Sequence, residues 1–234
     1  MESGPGLLPP FPGWLIAAYY RWAALLNRLS PWIELDGMRL RVEPSVYKPI
    51  QNEVRVAPHV PQGRDVLDVG CGSGVLGLAA ASRSASVLAI DLNPAAVRST
   101  ERNAQRLGVG NLKVLEGDAG TLDLGGRFGV VLSGPPFSEA DLEGVERRWA
   151  SAPGFTPRLF ERASRDWLLD EGVLIVHHMA RARSYLEALG RRHGLALTAA
   201  HPNHRKGAKL HVLAWLYAQV GLRTTFFVFE RIRA

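Results

Sequence analysis

Residues 66–74, Val66-Leu-Asp-Val-Gly-Cys-Gly-Ser-Gly74, carry a short apolar run into three glycines at alternate positions. Glycine lets the chain turn sharply and bring its backbone against a ligand with no Cβ in the way, and a helix opening there presents unpaired amides. The GxGxG spacing differs from the GxGxxG of dinucleotide folds. Asp68, at the end of the apolar run, would repel a pyrophosphate and attract an ammonium. The stretch therefore predicts a strand, a tight turn and a helix around a ligand that carries a positive charge.

On its C-terminal side, apolar runs of strand length alternate with helical periodicity. Strands are expected at 65–69, 86–91, 111–115, 128–133, 172–178, 195–200 and 224–230, and helices at 74–83, 94–107, 156–169, 180–193 and 208–219. Repeated βα units predict a doubly wound, Rossmann-like α/β sheet with helices on both faces. The 137–155 connection is long for such a unit, a feature of functional or mobile loops.

On its N-terminal side, the Gly/Pro-rich residues 1–13 are expected to be disordered, followed by a cap of helix and hairpin over 14–60 and the ligand-binding domain over 61–234. Leu15, Tyr19, Trp22, Leu26 and Leu29 form one helical stripe opposite Arg21 and Arg28. That stripe would pack on the main domain, cover a substrate or lie on a membrane surface. Asp36-Gly37 between two alternating runs is a hairpin signal.

The bulk composition, 47% hydrophobic and 21% charged in 234 residues, is that of a globular chain. It lacks the roughly 20-residue apolar run of a membrane span. One cysteine, Cys71, excludes an internal disulfide and a cysteine-rich zinc module. No basic and apolar leader precedes it, so a cytoplasmic location is expected. The net charge of +6 is concentrated in 181–234, where ten Lys and Arg meet two Asp and Glu. This region is either a solvated face or a contact for RNA or an acidic protein. His201, His204 and His211 with Arg205, Lys206 and Lys209 have no carboxylate or cysteine among them, so no metal is expected.

Two further strand ends carry carboxylates. Asp91, in Ala89-Ile-Asp-Leu-Asn-Pro94, can accept both hydroxyls of a ribose, while Asn93 suits the cap of the next helix. Glu116-Gly-Asp-Ala119 offers Asp118 where an adenine amino group can be read.

DVGCGSG, AIDLNP, EGDA and SGPPF, in this order over residues 63–180, resemble the motifs of class I S-adenosylmethionine-dependent methyltransferases. The resemblance implies Asp68, Gly70, Cys71, Gly72 and Gly74 around the methionine part of S-adenosylmethionine. It implies Asp91 at the ribose, Leu92 on the adenine face, Asp118 and Ala119 at the adenine edge, and Gln51 and Ser133 close by. S-adenosylhomocysteine would be the product.

A narrower likeness is to the HemK-like branch of small-domain methyltransferases. Val46-Tyr-Lys-Pro-Ile-Gln-Asn-Glu53 is similar to its VYxPxED segment, with Gln51 and Asn52 in place of the acidic pair. Ser133-Gly-Pro-Pro-Phe137 is similar to its NPPY or NPPF motif, with Gly134 in place of Asn. In that branch the Asn side chain and the first proline's carbonyl accept hydrogen bonds from a planar nitrogen, and the aromatic stacks on the substrate. The implied catalytic set is Ser133, Gly134, Pro135, Pro136, Phe137, Tyr47 and His177. Gly134 lacks the side-chain acceptor, which leaves three readings. Its own carbonyl substitutes, or Ser133, Tyr47 or the His177–His178 pair supplies the acceptor, or the nucleophile is not an NH₂ group. The expected function is methyl transfer to a nitrogen or oxygen, with a small-molecule biosynthetic substrate in front. The alternatives are a protein glutamine or RNA base, and a catalytically silent partner subunit that binds S-adenosylmethionine.

Overall fold

The computed structural model describes residues 13–138, 141–203 and 223–232. The expected helix at 208–219 lies outside them, as do residues 1–12 and His204, Arg205, Lys206, Lys209 and His211.

A helix, α1 (Gly13–Leu29), leads into a hairpin of β1 (Trp32–Leu35) and β2 (Met38–Arg41) and then a 3-10 segment at Glu53–His59. The βα series follows: β3 (Asp65–Val69), α2 (Val75–Ala81), β4 (Ser86–Asp91), α3 (Pro94–Leu107), β5 (Leu112–Glu116) and β6 (Phe128–Ser133). It is completed by α4 (Phe155–Arg162), β7 (Leu168–Met179), α5 (Arg183–Arg192), β8 (Leu195–Asn203) and β9 (Thr224–Arg231). The seven-stranded sheet has the order β5-β4-β3-β6-β7-β9-β8, with β9 antiparallel to both its neighbours. The chain reverses its direction of winding between β3 and β6, and open α/β sheets bind ligands at such a point, beyond the carboxyl ends of the strands.

Central strands read as unbroken apolar runs because both their faces are covered. In β6, Val130 and Leu132 join a core with the hairpin, α2 and α3, while Val131 joins another with α4 and α5. Asp36 and Gly37 both have positive φ, at 45° and 86°, as a tight hairpin turn requires. The hairpin is tied to α3 by Asn103, whose Oδ1 accepts from the Arg41 amide at 2.9 Å and whose Nδ2 donates to the Arg41 carbonyl at 2.9 Å.

Two expectations are corrected. The helix expected at 156–169 ends early: α4 passes into a π turn at Ala163–Trp167, and β7 begins at Leu168, four residues before the expected strand. Leu168 is pulled into register with Phe128 of β6 and Trp167 is buried, so tertiary pairing overrides the local helical period.

The second correction concerns α1. Its buried residues are Ile16 and Asn27, whereas Leu15, Trp22 and Leu29 of the stripe, for which packing on the main domain is one of three readings, are 39%, 41% and 74% exposed. Asn27 sets this rotation, because its Nδ2 donates to the Val46 carbonyl at 2.8 Å and the Glu43 carbonyl at 3.3 Å. A polar side chain anchored to buried carbonyls outweighs the choice between two apolar faces.

Candidate active site

One cavity of about 760 Å³ opens at the carboxyl ends of β3, β4 and β6, with α1, the 3-10 segment and the 145–158 region around it. On one side the turn after β3 lies against it, with Gly70, Gly72 and Gly74 all in the left-handed region at φ +74°, +57° and +84°. Gly70, Cys71 and Gly72 line the cavity; Gly74 does not. A Cβ on Gly74 would stand 2.9 Å from Thr100 Cγ2, so this glycine serves the packing of the turn on α3. Burial holds the Cys71 thiol well above its usual range, which makes it an unreactive packing group.

Asp91 reaches across this turn. Its Oδ2 accepts from the Gly72 amide and its Oδ1 from the Asn93 amide, each at 2.9 Å. Both oxygens are thus oriented by backbone donors and keep lone pairs for a diol. Burial raises its pKa against these hydrogen bonds. Asn93 caps α3 by accepting from the Ala95 amide at 3.0 Å. Leu92, Asp118 and Ala119 continue the same wall.

Asp68 is placed differently from the expectation of a ligand contact. It is absent from the lining, and its Oδ2 accepts from the Gly77 amide of α2 at 2.8 Å. Burial raises its pKa to about 7, and its Oδ1 has no hydrogen-bond partner. Ser73, which the sequence reading passed over, does line the cavity with a buried, unpartnered hydroxyl. Ser133 also leaves the expected set, since it is fully buried and its Oγ donates to the Val69 carbonyl at 2.9 Å. That bond joins β6 to β3.

The opposite side is aromatic. Tyr19 and Tyr47 bracket Trp149 with ring centroids 5.8 and 5.7 Å away, and all three line the cavity together with Leu15 and Ile16 of α1. The Trp149 indole nitrogen is buried without a partner. Glu53 is buried here too, 3% exposed, with Oε1 accepting from the Tyr47 hydroxyl at 3.1 Å and Oε2 from the Gln51 amide at 3.1 Å. Between the two sides stand Gly134, Pro135, Pro136 and Phe137, which follow β6. Gly134 is not in a left-handed conformation, and a Cβ there would meet only Leu76 Cδ1 at 3.7 Å. Neither backbone nor packing therefore requires glycine at this position.

His177 and His178 face opposite sides of β7. His177 lines the cavity, and the Asn203 amide nitrogen donates to the Gln51 and Asn52 carbonyls and lies 3.4 Å from His177 Nε2. His178 packs on Phe137 at 4.9 Å and accepts from the Met179 amide at 2.9 Å through Nδ1. Burial lowers their pKa values to about 3 and about 4, so both are neutral at pH 7.

The sign of the resulting pH effect follows from linkage. A histidine whose folded pKa is depressed contributes stability that is present above about pH 6.5 and lost as pH falls through the folded value. Asp68, raised to about 7, acts oppositely and favours the folded state toward acid. His178→Gln should therefore take about 1.4 kcal/mol per pH unit off the slope of unfolding free energy between pH 6.5 and 4, one proton's worth. Denaturant unfolding at stepped pH measures it; an unchanged slope would mean that His178 is protonated in the folded protein.

Sequence reasoning missed Glu53, Trp149, Ser73 and Ile16, whereas Leu15 and Tyr19 belong to the stripe for which covering a substrate is one reading. Glu53 follows directly after Gln51 and Asn52, so an acidic group one position late was visible. Trp149 lies in the long 137–155 connection. Among the described residues no group of three His, Cys, Asp or Glu could hold a metal ion, and no helix is long and apolar enough to cross a membrane.

The Methyltransferase small domain family model matches residues 54–189. A Methanocaldococcus jannaschii protein named for N5-glutamine methylation of protein is 32% identical over 108 residues, 45% of this chain and 54% of its own. The release factor glutamine methyltransferase of Escherichia coli is 36% identical over 74 residues, 31% of this chain and 27% of its own. The chain thus spans about half or less of the length of these relatives. The ribosomal protein L11 methylase of Lactobacillus delbrueckii subsp. bulgaricus shares the fold with a TM-score of 0.59 at 16% identity, over 83% of this chain and 86% of that one.

Proposed function

The chain belongs to the methyltransferase small domain family, whose methyl donor is S-adenosylmethionine, and from that premise we propose that it methylates a nitrogen or oxygen of a compact, partly aromatic acceptor. The donor fits the residues present: oriented carboxylate oxygens on Asp91, a buried unpartnered hydroxyl on Ser73, and a turn of glycines between them. Bound there, it would supply a sulfonium methyl group to an in-line nucleophile, with the C–S bond broken and S-adenosylhomocysteine released.

The residues of the chain then divide the remaining tasks. Asp91 takes the ribose, Asp118 and Ala119 the adenine edge, and Ser73 with the Gly70–Gly72 backbone the methionine end. Phe137 stacks on the acceptor, and the Pro135 carbonyl, held rigid between Gly134 and Pro136, orients the nucleophile. Among the described residues, Asp91, Asp118 and Glu53 are the carboxylates that line the cavity, and the first two lie on the side of the glycine turn. Glu53, aligned by Tyr47 and the Gln51 amide, is left to take the proton of the nucleophile. His177 is a poor base for that task, since burial lowers its pKa to about 3 and its Nε2 faces the Asn203 amide.

The observation that carries this reading is the continuity of the donor wall with an aromatic bay under α1 in one cavity. Incubation with methyl-labelled S-adenosylmethionine and a lysate divided into RNA, protein and small molecules tests it. Label in the small-molecule fraction is expected. Label in protein or RNA would replace it with the acceptors named for the relatives, and single-turnover transfer absent from every fraction would leave a silent donor-binding subunit.

A second reading, a HemK-like acceptor amide or base, is favoured by Pro135, Pro136 and Phe137 lining the cavity with Tyr47. Gly134→Asn separates the two. The site has room for the side chain, so the variant should fold, keep its donor affinity and lose turnover by roughly tenfold, because the new amide occupies acceptor space. Raised turnover on a glutamine peptide or on RNA would restore the HemK-like acceptor.

A further inference from the structure

The helix that roofs the cavity has a second face that no described residue covers. At 3.6 residues per turn, Trp14, Leu15, Trp22, Leu25 and Leu29 of α1 fall within one arc of about 100°. They are 72%, 39%, 41%, 52% and 74% exposed. Arg21 and Arg28, both exposed, border one edge of this arc, and α1 contains no acidic residue. The cationic aromatic character continues past the helix end. Trp32 lies under the guanidinium groups of Arg39 and Arg106 at 4.6 and 4.5 Å, and Arg41 pairs with it across the hairpin. Glu34, opposite Arg39, is the one carboxylate on that outward hairpin face.

We propose that this face of α1 docks on an anionic lipid surface. A soluble helix normally turns such a stripe inward, but Asn27 has committed the other face to the protein. Two tryptophans and three leucines beside paired arginines match the interface between acyl chains and phosphate headgroups, where indole rings and guanidinium groups each find their medium. The absence of acid from the helix favours a negatively charged surface over a protein partner of mixed charge. With 17 residues, α1 lies along the membrane and does not span it. Because Leu15, Ile16 and Tyr19 of the same helix wall the cavity, docking would place the acceptor bay beside the lipid.

The test is sedimentation of the full chain with vesicles of phosphatidylcholine alone and of phosphatidylcholine mixed with phosphatidylglycerol. Binding to the mixed vesicles, with a blue shift of tryptophan emission, is expected. The Leu25→Glu/Leu29→Glu double variant, altered only at exposed positions, should bind at least about tenfold more weakly. Arg21→Glu/Arg28→Glu should lose the preference for the anionic vesicles. S-adenosylmethionine affinity should be unchanged in both, which separates a lost surface from a lost fold. Failure of the wild-type chain to bind either vesicle overturns the proposal, as does undiminished binding by the leucine double variant. Self-association that this variant dissolves, without vesicle binding, would assign the face to a second copy of the chain.

Discussion

Asp91→Ala is expected to weaken S-adenosylmethionine binding by about 100- to 1,000-fold. The ribose hydroxyls would lose two charge-assisted hydrogen bonds, together about 3–4 kcal/mol, and each 1.4 kcal/mol is a factor of ten. The carboxylate also aligns the donor turn by accepting from Gly72, so its loss leaves that amide unpaired inside the site. Asp91→Asn should lose less, because one oxygen still accepts while the amide nitrogen faces a backbone N–H. Calorimetric titration reads both. Affinity unchanged in Asp91→Ala would remove the donor from this wall of the cavity.

The second large effect is expected at Glu53. A positioned general base contributes typically about 10²–10⁴ in rate. Glu53→Gln keeps the shape and an acceptor for the Tyr47 hydroxyl, but it has no charge with which to take a proton. It should lower kcat by about 100-fold or more and leave donor affinity within about twofold. Single-turnover methyl transfer with the labelled acceptor separates this from a binding defect. A variant whose kcat is intact while donor affinity falls would make Glu53 a strut for the cap, supporting Tyr47 and the Gln51 amide. Tyr47→Phe distinguishes these roles further: it removes the hydroxyl that orients Glu53 and should lower kcat less than Glu53→Gln does.

The two variants probe sites of different legibility. The Asp91 wall is built from residues adjacent in sequence to a strand end, and the strand, its parallel pairing and the turn are local consequences of apolar runs and glycines. The βα series, the hairpin at Asp36-Gly37 and the cap of α3 at Asn93 stand where the sequence places them for that reason. Asp91, Leu92, Asp118 and Ala119 all reach one cavity because parallel strands end on the same side of a sheet. Asp68, Gly74 and Ser133 belong to the same motifs yet turn inward, toward Gly77, Thr100 and Val69. Motif membership says that a residue is needed at the turn; whether it meets the ligand or supports the turn depends on which neighbours bury it.

What the sequence by itself determined is the class of fold, the order of its βα units and the cavity wall that carries Asp91, since each follows from the period of apolar residues, the freedom of glycine and the end at which parallel strands finish. Tertiary structure alone decided the rotation of α1, the π turn that shortens α4, and the bay in which Glu53 and Trp149 meet. Those features rest on contacts between distant segments. Asn27 reaches carbonyls 16 and 19 residues away, Leu168 pairs with Phe128, and Trp149 packs against Tyr19 and Tyr47. A periodic pattern ranks the faces of a helix by hydrophobicity, but a buried hydrogen bond to a remote carbonyl chooses between them, and that choice left an apolar face of α1 outside.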